Sequence, residues 1–294
     1  MDILKPKSNK YFFFVSLLAL VLIAFTFYIL LDINNQKKLI SKLENSLVIT
    51  KNLLEEEKRY ALSLSILLSQ DKELINAYKN NNREKAFYIV NKKISGLKKL
   101  QNSLFEVQIH TKDLTTYLRS WDFSKKNIPL SYFREGLVKV KKVKKPLVSI
   151  ELGKRVNIKA ISPILKNGEF IGSIEVIIGF NHLEKELKDK GYNLDILLNK
   201  EYLNIATTLK NNPIIGNFVL VNKKSFDTSF DLTKLKDYGY FTNTTNAFSY
   251  FSYYSFSRKK LGYFIISLKN SSKLQLNSNY KNKYIKTNSK VIIQ

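Results

Sequence analysis

Arg119 and Trp121 carry the most specific chemistry in this sequence of 294 residues. A guanidinium presents a planar fork that takes a carboxylate or phosphate bidentately, and an indole two positions on offers a flat wall with an N–H donor. Both are candidate ligand-binding residues. The competing reading is an arginine that neutralises a buried carboxylate beside a tryptophan that fills core. Two acids supply the second theme. Glu151 and Glu175 occupy polar positions in otherwise apolar stretches, with Val148, Ile150 and Leu152 around the first and Ile174, Val176 and Ile178 around the second. Such a pair suits acid/base work, a ligand amine, pairing with Arg119 or a solvent face, and a structural ion pair is favoured among these. Both acids join the ligand-binding candidates. So does His110, which ends a strand-like run just before Arg119. With His182 as the only other histidine and no Cys, His110 is read as a hydrogen-bonded side chain of the fold or pocket wall rather than a metal ligand.

Other chemistry is missing from the sequence. It contains no GxSxG, no GxxxxGK[ST], no HExxH and no EF-hand loop, and no Cys for a zinc ribbon or a thiol enzyme. No enzyme, cofactor or metal is therefore expected. The 49 Lys+Arg against 24 Asp+Glu give a formal charge of +25, which raises nucleic acid as a partner. Only six of the 49 are Arg, and the Lys-rich composition weakens that pointer. The aromatics crowded over 238–256 are read as core rather than as a stacking platform for bases. The lysine run at 139–145 is read as a solvated strand edge. No nucleic-acid partner is expected.

The elements that must position Arg119 begin with a membrane segment. Residues Tyr11 to Leu31 form 21 uncharged, mostly apolar residues, enough to span a hydrocarbon core of about 30 Å. The run is longer than a signal-peptide core and lacks a small-x-small site after it, so an uncleaved anchor is expected. Lysines flank both ends. We read residues 1–10 as cytoplasmic, 11–31 as the transmembrane helix, and the rest as facing the periplasm or exterior from the inner membrane. From Asp32 to about Leu104 there is no Pro and one Gly. Apolar residues at Ile40, Leu43, Leu47, Leu54, Ala61, Leu64 and Leu68 predict a long helix to about Asn80, with a second from about Arg83 to Leu100. The stripe suits packing on its own domain better than a dimeric coiled coil.

Beyond Leu104 the period changes. Residues 105–110 read as a strand, and Asp113 is placed to cap a short helix over 113–119. Strands are predicted at 147–152, 158–165 and 170–180, the last two joined at 166–168 by a Lys-Asn-Gly turn. A helix over 182–191 closed by Gly191, a strand at 194–198, and a hairpin of 248–256 with 261–268 complete the pattern. Helix followed by antiparallel sheet occurs twice, so the fold class is α+β.

Residues 110–180 resemble the double Cache sensor domains of bacterial chemoreceptors and sensor kinases, most nearly their third subclass. The resemblance rests on IHTKDLTTYLRSW (109–121), FRE (133–135), KKPLVSIELG (144–153), AISPI (160–164) and GSIEV (172–176). It implies a long stalk helix and two PAS-like antiparallel-sheet modules: a helical segment over 32–104, a membrane-distal module over 105–191, a membrane-proximal module over 192–268, and a basic tail over 269–294. The chain departs from the family's pattern at Asn127–Leu130, Ser149 and Lys159–Ala160, changes that bear on the ligand more than the fold. An Arg-x-Trp pair resembles the amino-acid-binding double Cache domains, in which Arg and Trp hold the ligand carboxylate. Asp122 follows Trp121 here where that subclass has Tyr.

The expectation is a membrane-anchored sensory domain that binds a small carboxylate or zwitterion. The tail has six Lys and no acid, and ends without the second membrane helix and signalling domain that such receptors carry. Signalling would then pass through a partner, either a second copy or a receptor chain. The alternative is an envelope interaction protein that uses its basic surface and has no small-molecule ligand.

Overall fold

The computed structural model describes residues 8–101, 105–222, 232 and 235–270. The basic tail lies outside these from residue 271 onward, as does most of the N-terminal decapeptide. Helix α1 (Ser8–Ser69) runs for 62 residues. Among the described residues, its first part contains the one helical stretch long and apolar enough to cross a membrane, and that stretch is exposed throughout. Further on, Leu39, Leu43, Ser46, Thr50, Leu54, Glu57, Ala61, Ser65 and Leu68 are all buried. Their positions repeat every 11 residues. At 3.67 residues per turn such a stripe stays on one side of a straight helix, which lets α1 lie along two successive sheets.

The first sheet has the order β2-β1-β5-β4-β3, all antiparallel, from β1 (Phe105–Thr111), β2 (Thr116–Arg119), β3 (Leu147–Glu151), β4 (Asn157–Lys166) and β5 (Glu169–Ile178). The second has the order β7-β8-β6-β11-β10-β9, from β6 (Asn193–Asn199), β7 (Ile214–Ile215), β8 (Phe218–Leu220), β9 (Tyr238–Thr242), β10 (Asn246–Tyr254) and β11 (Lys260–Lys269). The chain is therefore α+β, with a long apolar-ended helix and two antiparallel sheets. Asn167 and Gly168, at φ 51° and 77°, make the tight β4–β5 turn that the Asn-Gly pair predicts. Helix α5 (Asn181–Asp189) carries the chain from one sheet to the other, and Gly191 at φ 83° ends the turn that follows it.

Helix α1 touches both sheets through small polar side chains. Ser46 Oγ lies 2.7 Å from Ser249 Oγ on β10, and Ser65 Oγ lies 2.8 Å from Ser162 Oγ on β4. Between them, Glu57 meets His182 of α5 at 2.5 Å. Hydroxyl and methylene are small enough for the helix axis to sit close to the sheets, and each hydroxyl also bonds a carbonyl of its own helix, so neither is stranded. The apolar rows Ile158, Ala160 and Ile164 of β4 and Ile174, Val176 and Ile178 of β5 join α1 in the main core. Successive strand residues point to opposite faces, so Lys159, Glu175 and their neighbours face the other way.

Three local readings are corrected. The long helix does not run to Asn80: it ends at Ser69, and Asp71 accepts from the Leu74 amide to start α2 (Lys72–Lys79) afresh. Helix α3 (Arg83–Gln101) follows. The segment over 113–119 is not a capped helix. Thr116–Arg119 is strand β2, with Gln108 opposite Arg119 and Ile109 opposite Leu118. Its β-branched and aromatic residues suit a strand, and Leu114, at φ 56°, turns the chain where a helix would have begun. The lysine run is no strand edge either. Residues Glu135–Val143 form α4, which buries Leu137 and Val140 and turns its lysines outward.

Candidate functional site

The inner face of the first sheet opens into a cavity of about 650 Å³. The ladder fixes the rows at its base, of which Glu106, Gln108, Arg119, Lys159 and Ile177 line it. Arg119 on β2 stands opposite Gln108 on β1, which stands opposite Glu175 on β5; one row along, Glu106, Ile177 and Lys159 face one another across β1, β5 and β4. The segment after β2 supplies Trp121, Tyr132 and Phe133, and the connection between β3 and β4 and residues 204–208 complete the wall.

Arg119 and Trp121 both line this cavity, with the guanidinium 5.5 Å from the indole ring centre. Arg119 is half-buried, and its Nε is buried without a hydrogen-bond partner. An unsatisfied charged donor of this kind costs free energy unless something fills its place. Trp121 keeps 38% of its surface exposed, so it is a wall of the cavity rather than a core filler. Arg119 does not pair with Glu175 or Glu151. Those acids belong to Arg134, whose Nε donates to Glu151 at 3.3 Å and whose two terminal nitrogens both donate to Glu175. All three are buried. Neither acid lines the cavity, whereas Arg134 does. Burial alone would raise the Glu175 carboxyl, but Arg134 and His110 hold it well below the usual carboxylate range. His110 is fully buried, with Nδ1 3.0 Å from Ser173 Oγ and Nε2 3.5 Å from Glu175. Burial pushes its imidazolium pKa down against the pull of Glu175, and the ring serves the fold behind the cavity. The sequence candidates thus separate: Arg119 and Trp121 face the cavity, while His110, Glu151 and Glu175 lie behind it.

Five further cations belong to the wall, Lys125, Arg134, Lys154, Arg155 and Lys159, and none of them is a site candidate in the sequence reading. Arg134 stands in the FRE motif; Arg155 pairs with Glu106; Lys159, 4% exposed, donates to the Leu152 carbonyl at 3.1 Å. Burial, reinforced by the Arg134 charge, pushes the Lys159 ammonium down to about 7. A usable signal existed. In a chain that covers its surface with lysine, arginine is scarce, and three of its six arginines, Arg119, Arg134 and Arg155, line this one cavity. Glu106 is the one acid in that lining, so the cavity favours an anion or the carboxylate end of a zwitterion. Among the described residues no cluster of three or more His, Asp or Glu could hold a metal ion.

A long helix laid across two antiparallel sheets, with a cavity on the face of the first, is the architecture of a double Cache sensory domain. The chain belongs to the family described as the double sensory domain of two-component sensor kinases, dCache_3, whose pattern it matches over residues 36–214. Solved structures carry the likeness over most of the chain. The extracellular domain titled as that of histidine kinase vpHK1S-Z8 aligns at a TM-score of 0.54 and 14% identity, over 82% of this chain and 94% of that one. A domain of a sensory box/GGDEF family protein from Vibrio parahaemolyticus aligns at 0.54 and 15%, over 81% and 99%. The ligand-binding domain of the Campylobacter jejuni chemoreceptor Tlp3, solved with L-valine, aligns at 0.48 and 15%, over 82% and 97%. At such identities the likeness is one of fold. No curated protein matches the chain.

Proposed function

We propose that this protein is a membrane-anchored, extracytoplasmic sensory domain that binds a small organic anion or amino-acid-like zwitterion in the cavity beside Arg119 and Trp121. The observation that carries the reading is the Arg119 guanidinium, with a buried Nε that lacks a partner and an indole wall beside it. A ligand carboxylate would satisfy that donor and use the planar fork. Gln108 and Asn157, also in the wall, offer amide groups to the remainder of the ligand. Residues 11–31 anchor the domain, and α1 joins that anchor to the cavity-bearing sheet without a break, so a ligand that favoured one seating of α1 on β4 would shift it relative to the membrane. The signal leaves through a partner chain.

The test uses the full chain in detergent micelles. Thermal unfolding is followed against a panel of mono- and dicarboxylates and amino acids. Binding to the folded state alone stabilises by about 2.7 kcal/mol at one hundred times Kd. At least one compound should raise Tm, and Arg119→Gln should abolish the rise. A panel without effect, or a rise unchanged in Arg119→Gln, would overturn the reading.

A further inference from the structure

Arg119 and Trp121 flank a point where the sheet lets go of the chain. Strand β2 ends at Arg119, and Ser120 is the last residue bonded to β1, through its amide to the Val107 carbonyl and its hydroxyl from the Val107 amide. Residues 121–126 then run outside any strand or helix until the Asn127 amide returns to the Thr116 carbonyl. Ladder bonds therefore cannot fix where the indole stands. A residue from another element does. Arg83, the first residue of α3, donates from Nε to the Tyr117 carbonyl at 2.9 Å and from Nη2 to the Phe123 carbonyl at 2.8 Å. Its guanidinium lies 4.6 Å from the centre of the Phe123 ring, which also meets Phe87 of α3 edge-on at 5.1 Å. The two carbonyls sit two residues before Arg119 and two after Trp121.

We infer that Arg83 is the positioning residue of the cavity: its fork clamps both ends of the 117–123 segment and so holds the Arg119 cation and the Trp121 ring side by side. This rests on the reading of the cavity as the ligand site. The fork suits the task because one rigid plane fixes two acceptors at once, which a single ammonium cannot do. Ligand occupancy at Arg119 is also tied, through this clamp, to the α2–α3 pair.

Trp121 is the only tryptophan in the chain, so its emission reports this segment alone. The probes are acrylamide, a neutral quencher, and iodide, an anion that the Arg119 charge draws to the ring. Both are titrated into the full chain in micelles for the parent, Arg83→Lys, Arg83→Ala and, as a control, Lys93→Met. The control removes an α2–α3 ion pair (Lys93 with Asp71, 2.7 Å) that does not touch the segment. Each lost hydrogen bond should raise the open fraction of the segment about fivefold. Acrylamide quenching should therefore rise in both Arg83 variants, less in Lys than in Ala, while the advantage of iodide over acrylamide falls. Lys93→Met should lower Tm and leave both constants at the parent values. Unchanged quenching in folded Arg83→Lys overturns the inference, as does an equal change in Lys93→Met. If Arg83→Ala loses its far-ultraviolet circular dichroism, Arg83→Lys decides alone. The two proposals fail separately: altered quenching with a silent ligand panel removes the ligand and keeps the clamp, and the converse removes the clamp only.

Discussion

Arg134 and Glu175 form a two-point ion pair in the interior of the first sheet, with 4% and 0% of their surfaces exposed. Glu175 lies in the middle of β5, and Arg134 reaches it from the residue that precedes α4. The pair ties the covering layer of α4 to the sheet, and with Glu151 it forms the floor on which the cavity stands. Desolvating three charges is costly, and the arrangement holds because each carboxylate receives a donor from the guanidinium.

Removal of the guanidinium should therefore be severe. Arg134→Met leaves two carboxylates buried, and we expect a loss of about 3–5 kcal/mol in chemical denaturation. The pH dependence should change sign as well. In the parent, Glu175 is held well below its unfolded value of about 4.3, so its contribution is complete above that value and is lost as pH falls toward the folded one. Without Arg134, burial dominates and raises the carboxyl, so the variant should lose stability as pH rises above about 4. A loss under about 1 kcal/mol, with the parent's slope retained, would show that the pair carries little.

Lys159 gives the opposite end of the pH range. Its ammonium titrates at about 7 in the folded protein, against about 10.4 in an unfolded chain. Between those values the unfolded chain binds more protons, so stability should rise from pH 7 toward pH 10. Lys159→Met should remove that rise. The measurement is urea unfolding of both proteins at several pH values, and parallel curves would refute the assignment. If the cavity takes an anion, its affinity should also weaken as pH passes 7, because one wall cation is lost.

The seating of α1 on the first sheet can be measured directly. Ser65→Ala and Ser162→Ala should each cost about 1 kcal/mol, and the double variant less than their sum, because the two hydroxyls share one bond. Ser65→Leu should cost about 1–3 kcal/mol by forcing the helix away from β4. Strict additivity of the two alanine changes would mean that the hydroxyls do not act together.

Local patterns in the sequence determined a good deal. A run of 21 uncharged, mostly apolar residues, an apolar stripe at helical spacing, an Asn-Gly turn and strand-length apolar runs each depend on neighbours a few residues apart, and these placed the long helix (though not its end), the β4–β5 hairpin and α5 close to where they stand. The motif string carried the family. Arg119 and Trp121 were legible as a pair because residue type and spacing alone suffice for that.

Tertiary structure decided the rest. The partner of Glu175 is 41 residues away, and nothing local distinguishes Arg134 from Arg119 as its mate. That choice depends on the cross-strand register and on where the covering loop crosses the sheet. The same holds for Thr116–Arg119, where pairing with β1 outweighs a helix start that Asp113 suggests. Lys159 looks like one lysine among many until β4 turns it inward. Burial, not residue type, is what separates the lysine that titrates at about 7 from the many that cover the surface.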